Sequence, residues 1–106
     1  MLNNKQEEPY NEIMVRLEEI IFEVSIILLT KKDLTEEAMQ RVYSILEEMQ
    51  SILKDENRIP KSLTSMLFAF YKRAEAEMSY RKPINSSQSN FIGHLQTYIG
   101  RIFGEN

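Results

Sequence analysis

The chain has no cysteine, no tryptophan and a single histidine. Without cysteine there is no disulfide framework, no thiol nucleophile and no Cys-ligated zinc, and the composition suits a reducing compartment. Three glycines and three prolines exclude collagen-like repeats and a turn-dense sandwich. Long hydrophobic runs are missing too. The longest apolar stretch, Ile20 to Leu29, is interrupted by Glu23 and Ser25 and falls well short of the roughly 20 residues that span a bilayer. Met1 to Glu8 is polar and contains acid, unlike the basic and then apolar start of a signal peptide. The expectation is a protein that neither crosses a membrane nor is secreted by that route.

What is there is 42% hydrophobic and 27% charged residues in a chain of 106, the balance of one globular domain covering residues 1 to 106. The net charge of -3 is unevenly spread. Residues 1 to 57 carry six Lys/Arg against thirteen Asp/Glu, and residues 58 to 106 carry seven against three. Such a split arises when acidic helices flank basic ones within one molecule, or when a basic surface meets an anionic partner.

Apolar residues recur at spacings of three and four in four segments, each followed by a break. The first runs from 9 to 31, with Ile13, Leu17, Ile20, Val24 and Ile27 on one face, Pro9 in the opening turn and Lys31 and Lys32 at the closing end. The second spans 35 to 55, capped by Thr35, with Leu34 and Met39 placed as a hydrophobic staple and a stripe of Val42, Ile45, Leu46, Met49, Ile52 and Leu53. Pro60 separates it from the third, 60 to 80, whose stripe is Leu63, Leu67, Phe70, Ala74 and Met78. Residues 81 to 86 read as a turn around Pro83, and Ser86 or Ser87 can cap the fourth helix. That helix, 86 to 103, carries Phe91, Ile92, Leu95, Tyr98, Ile99 and Ile102. Four such helices joined by short loops predict an all-α fold, an antiparallel up-down-up-down four-helix bundle.

Catalytic chemistry finds no purchase. His94 stands beside the Phe91/Leu95 stripe with no acid or nucleophile partner in sequence. The pairs Glu18/Glu19, Glu36/Glu37 and Glu47/Glu48 lack the Glu-x-x-His spacing of bundle metal sites and read as solvated faces. There is no glycine-rich phosphate loop and no nucleophile elbow. The reading is a non-enzyme with no cofactor and no metal. Arg73, Tyr80, Arg81 and Lys82 bring basic and aromatic groups together, but the cluster is small and the chain acidic, which argues against nucleic acid.

Two apolar features lie off the core stripes. Phe68 falls among Ser65, Lys72, Glu75 and Ser79 on the polar side of the third helix, either covered by a terminal segment or serving as a contact. On the first helix, Val15, Phe22, Ile26 and Leu29 group opposite the inward stripe. Four large side chains left in water would forgo substantial stabilisation, so a cover is expected from the chain's own segments, a partner or a second copy. The polar tails are too small for it, and the reading is a homodimer surface centred on Phe22 and Ile26.

A further pattern lies in the second half. Pro60 is followed by apolar Leu63 and Met66. Ile84, Asn85-Ser86 and Gln88 precede the last helix, Ile92, Leu95 and Tyr98 follow Gln88 at plus four, seven and ten, and Phe103-Gly104 closes the run. From Ile59 onward the chain resembles the immunity proteins that protect Gram-positive bacteria against pediocin-like (class IIa) bacteriocins, the enterocin A immunity family. It differs in placing Ile102 where relatives carry Arg, with Arg101 one position earlier. The resemblance implies a cytoplasmic four-helix bundle without enzymatic activity, giving antimicrobial peptide resistance by protein–protein interaction. The partner it implies is the mannose-type phosphotransferase permease with bound bacteriocin, met at the inner face of the membrane, with inner-leaflet contact through basic residues. The candidate contact residues are Phe68, Lys72, Arg73, Tyr80, Arg81, Lys82, Arg101 and Phe103. The competing reading is a small helical adaptor or regulator of phage or plasmid origin.

Overall fold

A computed structural model describes residues 4–79 and 86–104. Among them are four helices and no strand: α1 (Asn4–Leu29), α2 (Glu36–Leu53), α3 (Lys61–Ser79) and α4 (Ser86–Ile102). The expected turn at 81 to 85 lies outside the described residues. The largest departure is at the start, where α1 begins before Pro9 and carries it inside the helix. Lys5, Gln6, Glu7 and Glu8 are all good helix formers, and they extend α1 upstream although Pro9 has no N–H for the Lys5 carbonyl. Tyr10 is thereby brought into the core.

The breaks have local causes. Thr35 caps α2 with extended backbone, its hydroxyl accepting the Ala38 N–H at 3.0 Å, so that one otherwise orphaned donor of the first turn is satisfied. At the end of α1, Lys31 adopts φ +63°. The Lys32 N–H donates to the Ile27 carbonyl and the Lys31 N–H to the Leu28 carbonyl, the crossed pair that closes a helix through one left-handed residue. α4 finishes similarly: Gly104 has φ +91° and donates to the Arg101 carbonyl, a conformation in which a Cβ would be strained.

Direction alternates along the chain. Arg16 bonds Glu48 and Glu23 bonds Arg41, so α1 and α2 run antiparallel. Lys31 at the end of α1 pairs with Glu77 at the end of α3, which makes α1 and α3 parallel. Tyr43 meets His94 and Glu47 meets Tyr98, which makes α2 and α4 parallel. The neighbouring pairs are α1·α2, α2·α4, α3·α4 and α1·α3. The order around the bundle is therefore α1, α2, α4, α3, and the connection at 54 to 60 crosses its diagonal.

The stripes of all four helices contribute to one buried core. All five α3 positions expected inside are buried, as are Val42, Ile45, Leu46, Met49 and Leu53, while Ile52 is half-buried. On α1 the last inward position is Leu28 and Ile27 is half-buried. At 100° per residue Leu28 stays within about 40° of Leu17 and Val24, whereas Ile27 drifts to the edge of that face. In α4, Phe91, Leu95 and Ile102 are buried and Ile92, Tyr98 and Ile99 half-buried. One polar side chain, Gln88, is buried among them.

Candidate interaction surfaces

On α3 the helical period that buries Leu67 and Phe70 turns Phe68 outward, and the residue is 62% exposed. No described segment covers it. One turn on, the Lys72 ammonium lies 5.4 Å from the Phe68 ring centroid, within the range at which a cation is attracted to the ring face. Tyr71 donates to Glu75 at 3.2 Å on the same helix, and burial first, then the Glu75 carboxylate, raises the phenol pKa above its usual value. Arg73 is exposed on the other flank of α3, away from Phe68, so the structure does not bring the two into one cluster. Tyr80, Arg81 and Lys82 lie outside the described residues.

The end of α4 forms a second surface against α2. The Tyr98 ring stacks on Tyr43 at 5.3 Å between centroids. Its hydroxyl donates to Glu47 at 2.9 Å, a bond to a carboxylate that favours the neutral phenol and raises its pKa. Arg101 lies 5.5 Å from the Tyr98 ring centroid, and Phe103 is 43% exposed. Tyr43 is buried between α2 and α4, and burial first, then the nearby Glu36 carboxylate, pushes its pKa up to about 12. The Tyr43 hydroxyl and His94 Nδ1 lie 3.3 Å apart. A phenol held in its proton-bearing form is not an activated nucleophile, so this contact reads as packing and hydrogen bonding. Sequence periodicity did not mark Tyr43, because it falls beside the α2 stripe and is buried only where α4 reaches it.

The chain matches no family model, no curated protein and no solved structure. Among the described residues no group of three or more His, Cys, Asp or Glu could hold a metal ion. The open grooves between helices are lined mostly by charged and polar groups, such as Arg16, Gln40 and Arg41 between α1 and α2.

The third surface is the outer face of α1. Phe22 is 67% exposed, Val15 55%, Leu29 50% and Ile26 46%. These are the four off-stripe positions, and no described part of the bundle shields them. Their flank toward α2 is polar, with Arg16 making two bonds to Glu48 at 2.9 and 2.8 Å. That bidentate pair raises the Arg16 pKa and lowers that of Glu48.

Proposed function

We propose that this protein is a bacteriocin immunity protein that protects a cell from a pediocin-like peptide by contact, meeting the receptor permease and its bound peptide from the cytosolic side. The resemblance of the second half to the enterocin A immunity family supports the reading, and so does the division of labour among the residues that carry it. Leu63, Gln88 and Leu95 are buried, and Met66, Ile92 and Tyr98 half-buried. They build the bundle. Between them Phe68, Lys72, Arg101 and Phe103 are exposed, so the contact surface can differ while the scaffold stays.

The observation that carries the proposal is Phe68 with Lys72 over its ring. An exposed aromatic beside a cation presents apolar area and charge together, and aromatic side chains such as Phe are enriched where proteins bind partners. No helix among the described residues is long and apolar enough to cross a membrane; it is the family resemblance that puts the proposed contact on the inner side of the receptor's membrane. Cations such as Arg58, Lys61 and Arg73 add attraction to an anionic leaflet.

Expression in a sensitive host tests it. Growth in the presence of a panel of pediocin-like peptides should improve for at least one of them, and Phe68→Ala should lower that protection while leaving the melting temperature nearly unchanged. Sensitivity unaltered across the panel would overturn the proposal. Exchanging residues 58 to 106 with those of another immunity protein should move the spectrum of protection with the exchanged half.

A further inference from the structure

The outer face of α1 has an internal symmetry. Val15, Phe22 and Leu29 are spaced by seven residues on either side of Phe22, so they form one seam along the helix. All three are at least half exposed, and Ile26 widens the seam. A seam symmetric about its own midpoint is what a two-fold axis requires, because an isologous contact places each patch against itself.

The charges of α1 carry the second half of the argument. Its first part is acidic, with Glu7, Glu8, Glu12, Glu18 and Glu19 against Lys5 and Arg16, whereas its last turn carries no basic residue and the turn just past its end carries Lys31 and Lys32. Two such helices laid side by side in the same direction would set acid against acid. Turned antiparallel about Phe22, residue 15 comes level with residue 29 of the other copy, and residue 12 lies one turn beyond it, toward the turn that follows the other copy's helix end. Glu12 then faces the Lys32 end, Val15 meets Leu29, and the two Phe22 rings meet at the axis. The helix dipoles oppose as well.

We infer that α1 is the homodimer interface, with two copies of this chain packed antiparallel through Val15, Phe22 and Leu29 and with the acidic start of each helix turned toward the Lys31–Lys32 turn of the other. The buried centre of the interface is aromatic, and its rim is charged, which is the usual anatomy of a specific contact. An unrelated partner would need neither the symmetric spacing nor the reversed charge gradient. The inference does not depend on the protective role, since it concerns α1, whereas Phe68 and the end of α4 lie on other helices.

Because the chain has no cysteine, introduced thiols report the register directly. In sedimentation velocity the wild-type protein should be dimeric at high concentration, and Phe22→Glu should give a monomer whose circular dichroism and melting remain those of a folded bundle. Under mild oxidation Phe22→Cys should cross-link to itself. Val15→Cys alone should not, but mixed with Leu29→Cys it should give the mixed dimer. Glu12→Lys should weaken the dimer and Glu12→Lys with Lys32→Glu restore it. A wild-type monomer, a dimer that survives Phe22→Glu, or a Val15→Cys protein that links readily to itself would each overturn the proposed interface.

Discussion

Gln88 in the first turn of α4 holds both backbone polar groups of Leu34, more than fifty residues away in the α1–α2 connection. The Leu34 N–H donates to Oε1 at 2.9 Å, and Nε2 donates to the Leu34 carbonyl at 2.9 Å. Both residues are buried, at 3% exposure each. The connection has no secondary structure to satisfy these groups, and at that depth an unpaired N–H or C=O is costly. The side-chain amide supplies a donor and an acceptor on one rigid plane, as a second peptide would. It ties the cap of α2 to the start of α4 and so helps to fix the parallel contact of those helices.

Replacing Gln88 by Leu should therefore orphan two backbone groups at once. At about 1 to 3 kcal/mol for each buried unsatisfied group, a loss of roughly 2 to 6 kcal/mol is expected in urea unfolding. Gln88→Glu offers a finer check. A carboxylate can accept from Leu34 but not donate to it, and burial disfavours its charge, so its folded pKa lies above the unfolded one. The variant should recover stability relative to wild type as the pH falls and the carboxyl regains a proton. An unfolding midpoint unmoved in Gln88→Leu would show the bonds to be dispensable.

Tyr43 governs the alkaline side. Its folded pKa is raised from 10.0 to about 12 by burial, so the unfolded chain releases this proton first. Stability contributed by the neutral phenol is complete below pH 10 and is lost as the pH climbs toward 12. Stability should fall across that window, and less steeply in Tyr43→Phe. Phenolate absorbance should show late titration in the folded protein, with a contribution at about 12 that disappears in Tyr43→Phe, and ordinary titration after denaturation.

Glu48 acts in the opposite direction. Its pKa is lowered first by the hydrogen bond from Arg16, so its contribution is present above the ordinary carboxylate value of 4.5 and fades as the pH falls through the lowered folded value. The stability gap between wild type and Glu48→Gln should be small, because both side chains of the pair are largely exposed. It should close in acid. A gap that stays constant with pH would assign the effect to packing.

Gly93 within α4 and Gly104 just past its end behave oppositely. A Cβ built at Gly93 meets nothing within 4 Å, so Gly93→Ala should raise stability by up to about 1 kcal/mol through helix propensity alone. Gly104 has equal space but φ +91°, and Gly104→Ala should lower stability by about 1 kcal/mol. Thermal melts of the two variants should move in opposite directions.

The candidate surfaces were legible from one number, the 100° step of a helix. That step sets Phe68 off the stripe of Leu63, Leu67 and Phe70, and sets Phe22 and Ile26 opposite Leu17, and all three are exposed. Tyr43 escaped it, because a residue beside the stripe is buried only if a neighbouring helix comes to that side. The pairing of Tyr98 with Glu47 and of Tyr43 with His94 was invisible for the same reason.

By itself the sequence determined four helices, where they break, and which face of each is apolar, because helix periodicity, capping at Thr35 and the break at Pro60 act over a few residues. It also set aside the apolar residues that no stripe could use. Only the tertiary structure decided the order α1, α2, α4, α3 around the bundle. An apolar face is indifferent to which other apolar face covers it, and the choice falls to contacts between distant residues. Lys31 with Glu77, Tyr43 with Tyr98 and Gln88 with Leu34 are such contacts, and each depends on directional geometry that no local pattern encodes.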